Sequence, residues 1–123
     1  MAHVNDDEKT VRIGKKVLRE SELEFQVDYN GESFVLKYPN MYARSAIETE
    51  IARRLGGMPR SAYPPEHVLL VTAAVYANAM IVPNKHPDWF VDVWTTYDEE
   101  LVTTLYSGYL QFRDKIQSRD RPG

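Results

Sequence analysis

The chain has 123 residues, 43% of them hydrophobic and 27% charged, which fits one globular domain and excludes a low-complexity or disordered acidic segment. It contains no cysteine. A disulfide framework, a thiolate zinc site, an iron–sulfur cluster and a cysteine nucleophile are therefore excluded together. Fifteen Lys and Arg stand against 18 Asp and Glu, a net charge of −3, which is the wrong sign for a general nucleic-acid binder.

The opening residues, Met1 to Thr10, are polar and acidic and do not resemble a signal peptide, so the chain reads as a soluble protein of a reducing compartment. Residues 1–20 read as a flexible or partly strand-forming arm. Val11, Ile13 and Val17 share a parity, so Lys9–Val17 can add one short strand, which Gly14 and the lysines weaken. Glu22–Tyr29 (ELEFQVDY) and Glu32–Tyr38 (ESFVLKY) then flank Asn30-Gly31, the pair best suited to a two-residue type I′ turn. That turn sets Tyr29 opposite Glu32, Val27 opposite Phe34, Phe25 opposite Leu36 and Leu23 opposite Tyr38. The other face pairs Asp28 with Ser33, Gln26 with Val35 and Glu24 with Lys37. A slip of one residue would turn the apolar set to solvent, so pattern and turn specify one register. Two strands alone are marginal in water, so the apolar face must rest on helices.

Pro39 ends the second strand and Asn40 offers an N-cap for a helix to about Leu55, with Ile47, Ile51 and Leu55 at four-residue spacing. Gly56-Gly57 supplies its stop, and Met58–Pro65 is a loop. Pro65 opens the next helix, and the uncharged run Val68–Pro83 makes it apolar nearly all round, a central helix that Pro83 ends. A short aromatic segment follows, Trp89–Tyr97 (WFVDVWTTY). Thr96 and Glu99 form a capping box for a last helix with Leu101, Leu105, Tyr109, Phe112 and Ile116 on one side. The fold class is α+β: an N-terminal hairpin packed on three to four helices. The domain spans residues 21–118, and 119–123 form a disordered tail.

Catalytic signals are sparse. His3, His67 and His86 show no metal-ligand spacing, and Glu66 and Asp88 beside them do not complete a ligand set. No serine lies in a nucleophile elbow and no phosphate-binding glycine loop occurs. Asp98-Glu99-Glu100 fits helix-dipole compensation, and Arg53-Arg54 with Arg60 fits a solvated helix end. We therefore expect no catalytic residue, no cofactor and no metal. The distinctive feature is aromatic: Trp89, Phe90, Trp94 and Tyr97 fall close together, with Tyr109 and Phe112 further on. Core packing competes for rings at helical spacing, yet Trp and Tyr are also preferred interface anchors, so these six form the candidate partner-binding set.

The order of features resembles one family. A hairpin ending in Phe34–Asn40 (FVLKYPN) precedes the Ile47–Gly57 helix (IETEIARRLGG) and the Ala/Val-rich helix Val68–Pro83. The Pro87–Phe90 segment and the Leu101–Tyr106 helix follow. This resembles the tail assembly chaperones of bacteriophages with long, flexible, non-contractile tails, over about Leu23 to Ile116. The resemblance lies in the order of elements, not in a diagnostic motif. It implies a non-enzymatic protein of the host cytoplasm, absent from the mature virion, that coats and solubilises the tape-measure protein and recruits tail-tube subunits. It also implies a multimer, and a short form beside a frameshifted long one; we expect a homo-oligomer that contacts neither nucleic acid, given the net negative charge, nor membrane, since the run Val68–Pro83 is short for a bilayer and broken by Thr72, Tyr76 and Asn78. The competing expectations are a structural tail-completion or connector subunit of the virion and a small enzyme.

Overall fold

The computed structural model describes residues 9–117; residues 1–8 of the expected arm, residue 118 at the end of the expected domain and the expected tail 119–123 lie outside the described residues. Four strands come first: β1 (Thr10–Ile13), β2 (Lys16–Arg19), β3 (Glu24–Tyr29) and β4 (Glu32–Lys37). Three helices follow: α1 (Met41–Arg54), α2 (Pro65–Met80) and α3 (Glu99–Gln117). The class is α+β, with an N-terminal hairpin laid on helices.

The β3–β4 hairpin has the register that its turn dictates, from Glu24 opposite Lys37 to Tyr29 opposite Glu32. Asn30 and Gly31 take φ of 50° and 79°, the left-handed values that a type I′ turn needs at both positions. Leu23, Val27, Phe34 and Leu36 are buried. The Glu24–Lys37 charge pair does not close. Glu24 meets Lys85 at 3.1 Å, and Lys37 meets Glu20 at 3.4 Å.

The arm differs from the expected single strand. Lys9–Val17 does not run straight; Gly14, at φ 61°, and Lys15 turn it back, so that β1 and β2 form a second hairpin with Val11 opposite Leu18 and Ile13 opposite Lys16. The turn breaks the parity read along a straight strand. Val11, Ile13 and Leu18 share the half-buried face, and Val17 falls on the exposed one at 55%.

Asn40 caps α1, its side-chain oxygen accepting the Ala43 N–H at 2.8 Å. Helix α2 is central, flanked by α1 and α3 and touching β4, with residues 72–77 buried without a break. It ends at Met80, three residues before the proline expected to stop it. The reason is β4. The outer edge of that strand recruits the chain beyond Met80, pairing Leu36 with Ile81. Val82 donates to the Val35 carbonyl at 2.9 Å, and Val35 donates to the Lys85 carbonyl at 3.0 Å. Pairing the open backbone groups of Val35 outweighs one more turn of helix.

One polar group in α2 is left over. The Thr72 hydroxyl is buried without a hydrogen-bond partner among the described residues. An unpaired buried hydroxyl costs about 1–3 kcal/mol, so Thr72→Val is expected to raise the unfolding free energy by about 1 kcal/mol in urea titrations. A loss of similar size would show that the hydroxyl is satisfied.

At α3 the cap moves by two residues. Asp98, not Thr96, accepts the Leu101 N–H, at 3.2 Å, while the Thr96 hydroxyl accepts the Asp98 N–H at 3.1 Å. The other Asp98 oxygen accepts the Tyr29 hydroxyl at 2.7 Å, which ties the hairpin tip to the start of α3. That bond raises the Tyr29 phenol to about 12 and lowers the Asp98 carboxyl. The aromatic segment before α3 is no fourth helix. It is irregular, with one 3-10 turn over Val93–Thr95 that Asp92 caps through the Thr95 N–H at 2.9 Å.

Candidate functional site: an aromatic-walled groove between the first two helices

Irregular chain shows no periodicity, so exposure in the 87–97 segment is set by long-range contacts, and these sort the six candidate rings. Phe90 is 4% exposed, edge-on to Phe34 at 5.3 Å and to His86 at 5.2 Å. Tyr109 is 1% exposed and stacked on Tyr76 at 5.0 Å and Tyr38 at 5.8 Å. Both are core residues, which corrects their place in the contact set. Phe112 is half-buried and lies flat on Phe25 at 4.5 Å, serving the hairpin–α3 contact.

Three rings face outward: Trp89 at 56%, Trp94 at 42% and Tyr97 at 99% exposed. Trp89 is pinned at one end, its indole N–H donating to the two Glu32 oxygens at 3.0 and 2.9 Å while its edge meets Phe34. Trp94 is held differently. The Arg54 guanidinium lies 3.7 Å over its ring, a cation–π contact, and Arg54 Nε donates to Glu50 at 2.7 Å. Arg53 binds the same carboxylate through two nitrogens at 2.9 and 2.6 Å. These bonds, from Arg53 first and Arg54 second, hold the Glu50 carboxyl down at about 2. The basic cluster is thus an ion-paired helix end, completed by Arg60 donating to Glu48 at 2.9 Å.

Trp94 forms one wall of a groove of about 330 Å³ between α1 and α2. Buried Ile47 and Val75 make its floor, Ala43, Ala46 and Ala79 its shallow sides, and Glu50 and Asn78 its polar margin. The Asn78 side-chain oxygen accepts the Val93 N–H at 3.2 Å, which anchors the turn carrying Trp94 to α2. Alanines leave space where larger residues would have closed the helix pair, so an incoming side chain can reach the floor. Tyr42, at 86% exposure, stands one helical turn from Ala46 and extends the apolar surface. Sequence reading missed Tyr42, Met41 at 78% and Val91 at 73%, because an isolated apolar residue at a helix start or in a loop has no periodic signature.

No family model matches the chain, and no curated protein or solved structure matches it either.

Of the histidines, His67 lies in the first turn of α2 and His86 in the chain beyond its C-terminal end, while His3 lies outside the described residues. His67 leans on Tyr63 at 5.3 Å and borders a shallow depression with Glu66, Glu99 and Glu100. His86 Nδ1 lies 2.9 Å from the Pro87 carbonyl. Among the described residues, no group of three or more His, Asp or Glu is placed to hold a metal ion, and no helix is long and apolar enough to cross a membrane.

Proposed function

We propose that the protein is a non-catalytic tail assembly chaperone of the kind found in phages with flexible, non-contractile tails. In this reading it acts in the host cytoplasm as a homo-oligomer, binds and solubilises the tape-measure protein, helps to recruit tail-tube subunits and leaves before the virion matures. It needs no cofactor and touches neither nucleic acid nor membrane. The observation that carries the reading is the groove between α1 and α2: an apolar floor, alanine sides and a tryptophan already fixed in position by Arg54 and Asn78–Val93. A helical client presents apolar side chains at spacings of three and four residues, and a shallow groove between two helices takes such side chains as knobs. A wall that is already ordered loses little entropy on binding. Many sites of modest strength along one long client add through effective concentration, which suits repeated apolar faces.

The test is affinity for a co-expressed tape-measure fragment. Trp94→Ala is expected to weaken binding at least about tenfold, as for an interface anchor, while the melting temperature stays within a few degrees because the ring is partly exposed. Unchanged affinity in a folded variant would remove the groove from the contact. Mass spectrometry of purified particles addresses the role itself. Absence of the chain from mature virions is expected, and abundant copies would make it a structural tail-completion or connector subunit instead.

A further inference from the structure

The edges of the β3–β4 hairpin are in different states. In a two-residue hairpin the pairs Tyr29/Glu32, Val27/Phe34 and Phe25/Leu36 exchange hydrogen bonds, so Ser33, Val35 and Lys37 turn their backbone groups outward on β4. The bonds from Val35 to the Val82–Lys85 stretch show that this edge is covered. On β3 the outward row is Glu24, Gln26 and Asp28. The Glu24 N–H is taken by the Ser21 carbonyl, but among the described residues no backbone hydrogen bond from outside the ladder reaches Gln26 or Asp28. Both residues are exposed. An open edge of this kind is a template for another strand.

The sequence holds a strand pair of complementary charge. Between residues 9 and 19 stand Lys9, Arg12, Lys15, Lys16 and Arg19 with no Asp or Glu, so the net charge of −3 resolves into +5 on this stretch and −8 elsewhere. Lys16 is used locally, donating to the carbonyls of Lys115 and Ile116 at the end of α3. The opposite face of the arm, Thr10, Arg12, Val17 and Arg19, is exposed. The pairing of β1 with β2 also turns the backbone groups of these four residues outward, Thr10 and Arg12 on the β1 edge and Val17 and Arg19 on the β2 edge, where the Arg19 N–H is taken by the Glu22 carboxylate at 2.9 Å.

We propose that the β1–β2 arm of one copy adds, strand to strand, to the open β3 edge of a second copy. Charge selects this pairing over the symmetric ones. Two β3 edges paired antiparallel about Gln26 set Glu24 against Asp28, acid against acid, and two arms set arginine among arginines. Arm on edge, through the β1 edge, instead brings Arg12 alongside Asp28 and alongside Glu24, whose other partner is Lys85 at 3.1 Å. Donor and acceptor surfaces differ, so the contact is heterologous and repeats from copy to copy, closing a ring or continuing as a spiral. The proposal does not depend on the identity of any client.

Sedimentation velocity on the full chain, over a concentration series and after nuclease treatment, is the test. The wild type is expected to self-associate, less so at high salt. Arg12→Glu, and separately Asp28→Lys, should each weaken association about tenfold or more. An equimolar mixture of the arm variant and the edge variant should restore it, which also shows that both are folded. Gln26→Pro should block addition while leaving the β3–β4 ladder intact, because that N–H faces away from it. A wild type that stays monomeric would overturn the proposal. So would charge variants that associate like wild type, a mixture that fails to recover, or association that disappears with nuclease, which would assign the arm to nucleic acid.

Discussion

Tyr109→Ala is expected to lower the unfolding free energy by about 3–5 kcal/mol, the range for deleting a buried aromatic ring. The phenol is 1% exposed and central to a cluster of rings: Tyr76 at 5.0 Å, Tyr38 at 5.8 Å and Tyr106 at 5.9 Å, with the Arg113 guanidinium 5.8 Å over its face. These neighbours come from the end of β4, from α2 and from α3, so the cavity left by alanine opens between elements that cannot all collapse inward. Such a loss is a large part of the total stability of a domain this size, and Tyr109→Ala should melt many degrees below wild type. Urea titration of Tyr109→Ala beside Tyr109→Phe separates ring packing from the hydroxyl, and the phenylalanine variant should keep most of the stability. A loss below about 1 kcal/mol in Tyr109→Ala would mean that the ring is not embedded. The comparison with Trp94→Ala matters for function, since lost client binding in Tyr109→Ala would report unfolding rather than a missing contact.

Gly108→Ala is the second large expectation, and it runs against helix propensity. Alanine in the middle of α3 would ordinarily gain about 1 kcal/mol over glycine. Here a Cβ at residue 108 would collide with Val27 Cγ2, well inside van der Waals contact. Val27 is buried, β-branched and held in the β3 ladder opposite Phe34, so it has few ways to yield. Overpacking of this kind costs about 1–3 kcal/mol, and a net loss is expected in place of a gain. Val27→Ala combined with Gly108→Ala should recover part of it, a coupling that a double-mutant cycle reads directly. A stabilised Gly108→Ala would show that α3 does not approach the hairpin this closely.

The parts of the fold written into adjacent residues were legible. Asn30-Gly31 with strict alternation on both sides specifies one hairpin register, and Asn40 before an Ile47/Ile51/Leu55 stripe marks a capped helix. The misses share one cause, competition from residues distant in sequence. Pro83 bounds α2 from above, but the edge of β4 draws Ile81 into a bridge and stops the helix at Met80. Neighbours Trp89 and Phe90 look equivalent as letters, yet Phe34 and His86 bury one while Glu32 tethers the other at the surface. In the arm, one turn at Gly14 and Lys15 exchanges the roles of Val17 and Leu18. The groove itself was unreadable because alanines carry no signal: Ala46 and Ala79 become a site only when α1 and α2 pack, and Trp94 becomes a wall only beneath Arg54.

In the proposed function, exposed apolar and aromatic side chains around this groove hold a helical client. Hydrogen–deuterium exchange of the full chain with and without a tape-measure fragment locates that contact. New protection is expected to concentrate in residues 41–50 of α1, residues 75–80 of α2 and the turn carrying Trp94, and to disappear in Trp94→Ala. Protection confined to the far side of α3, or no protection at saturating fragment, would contradict it.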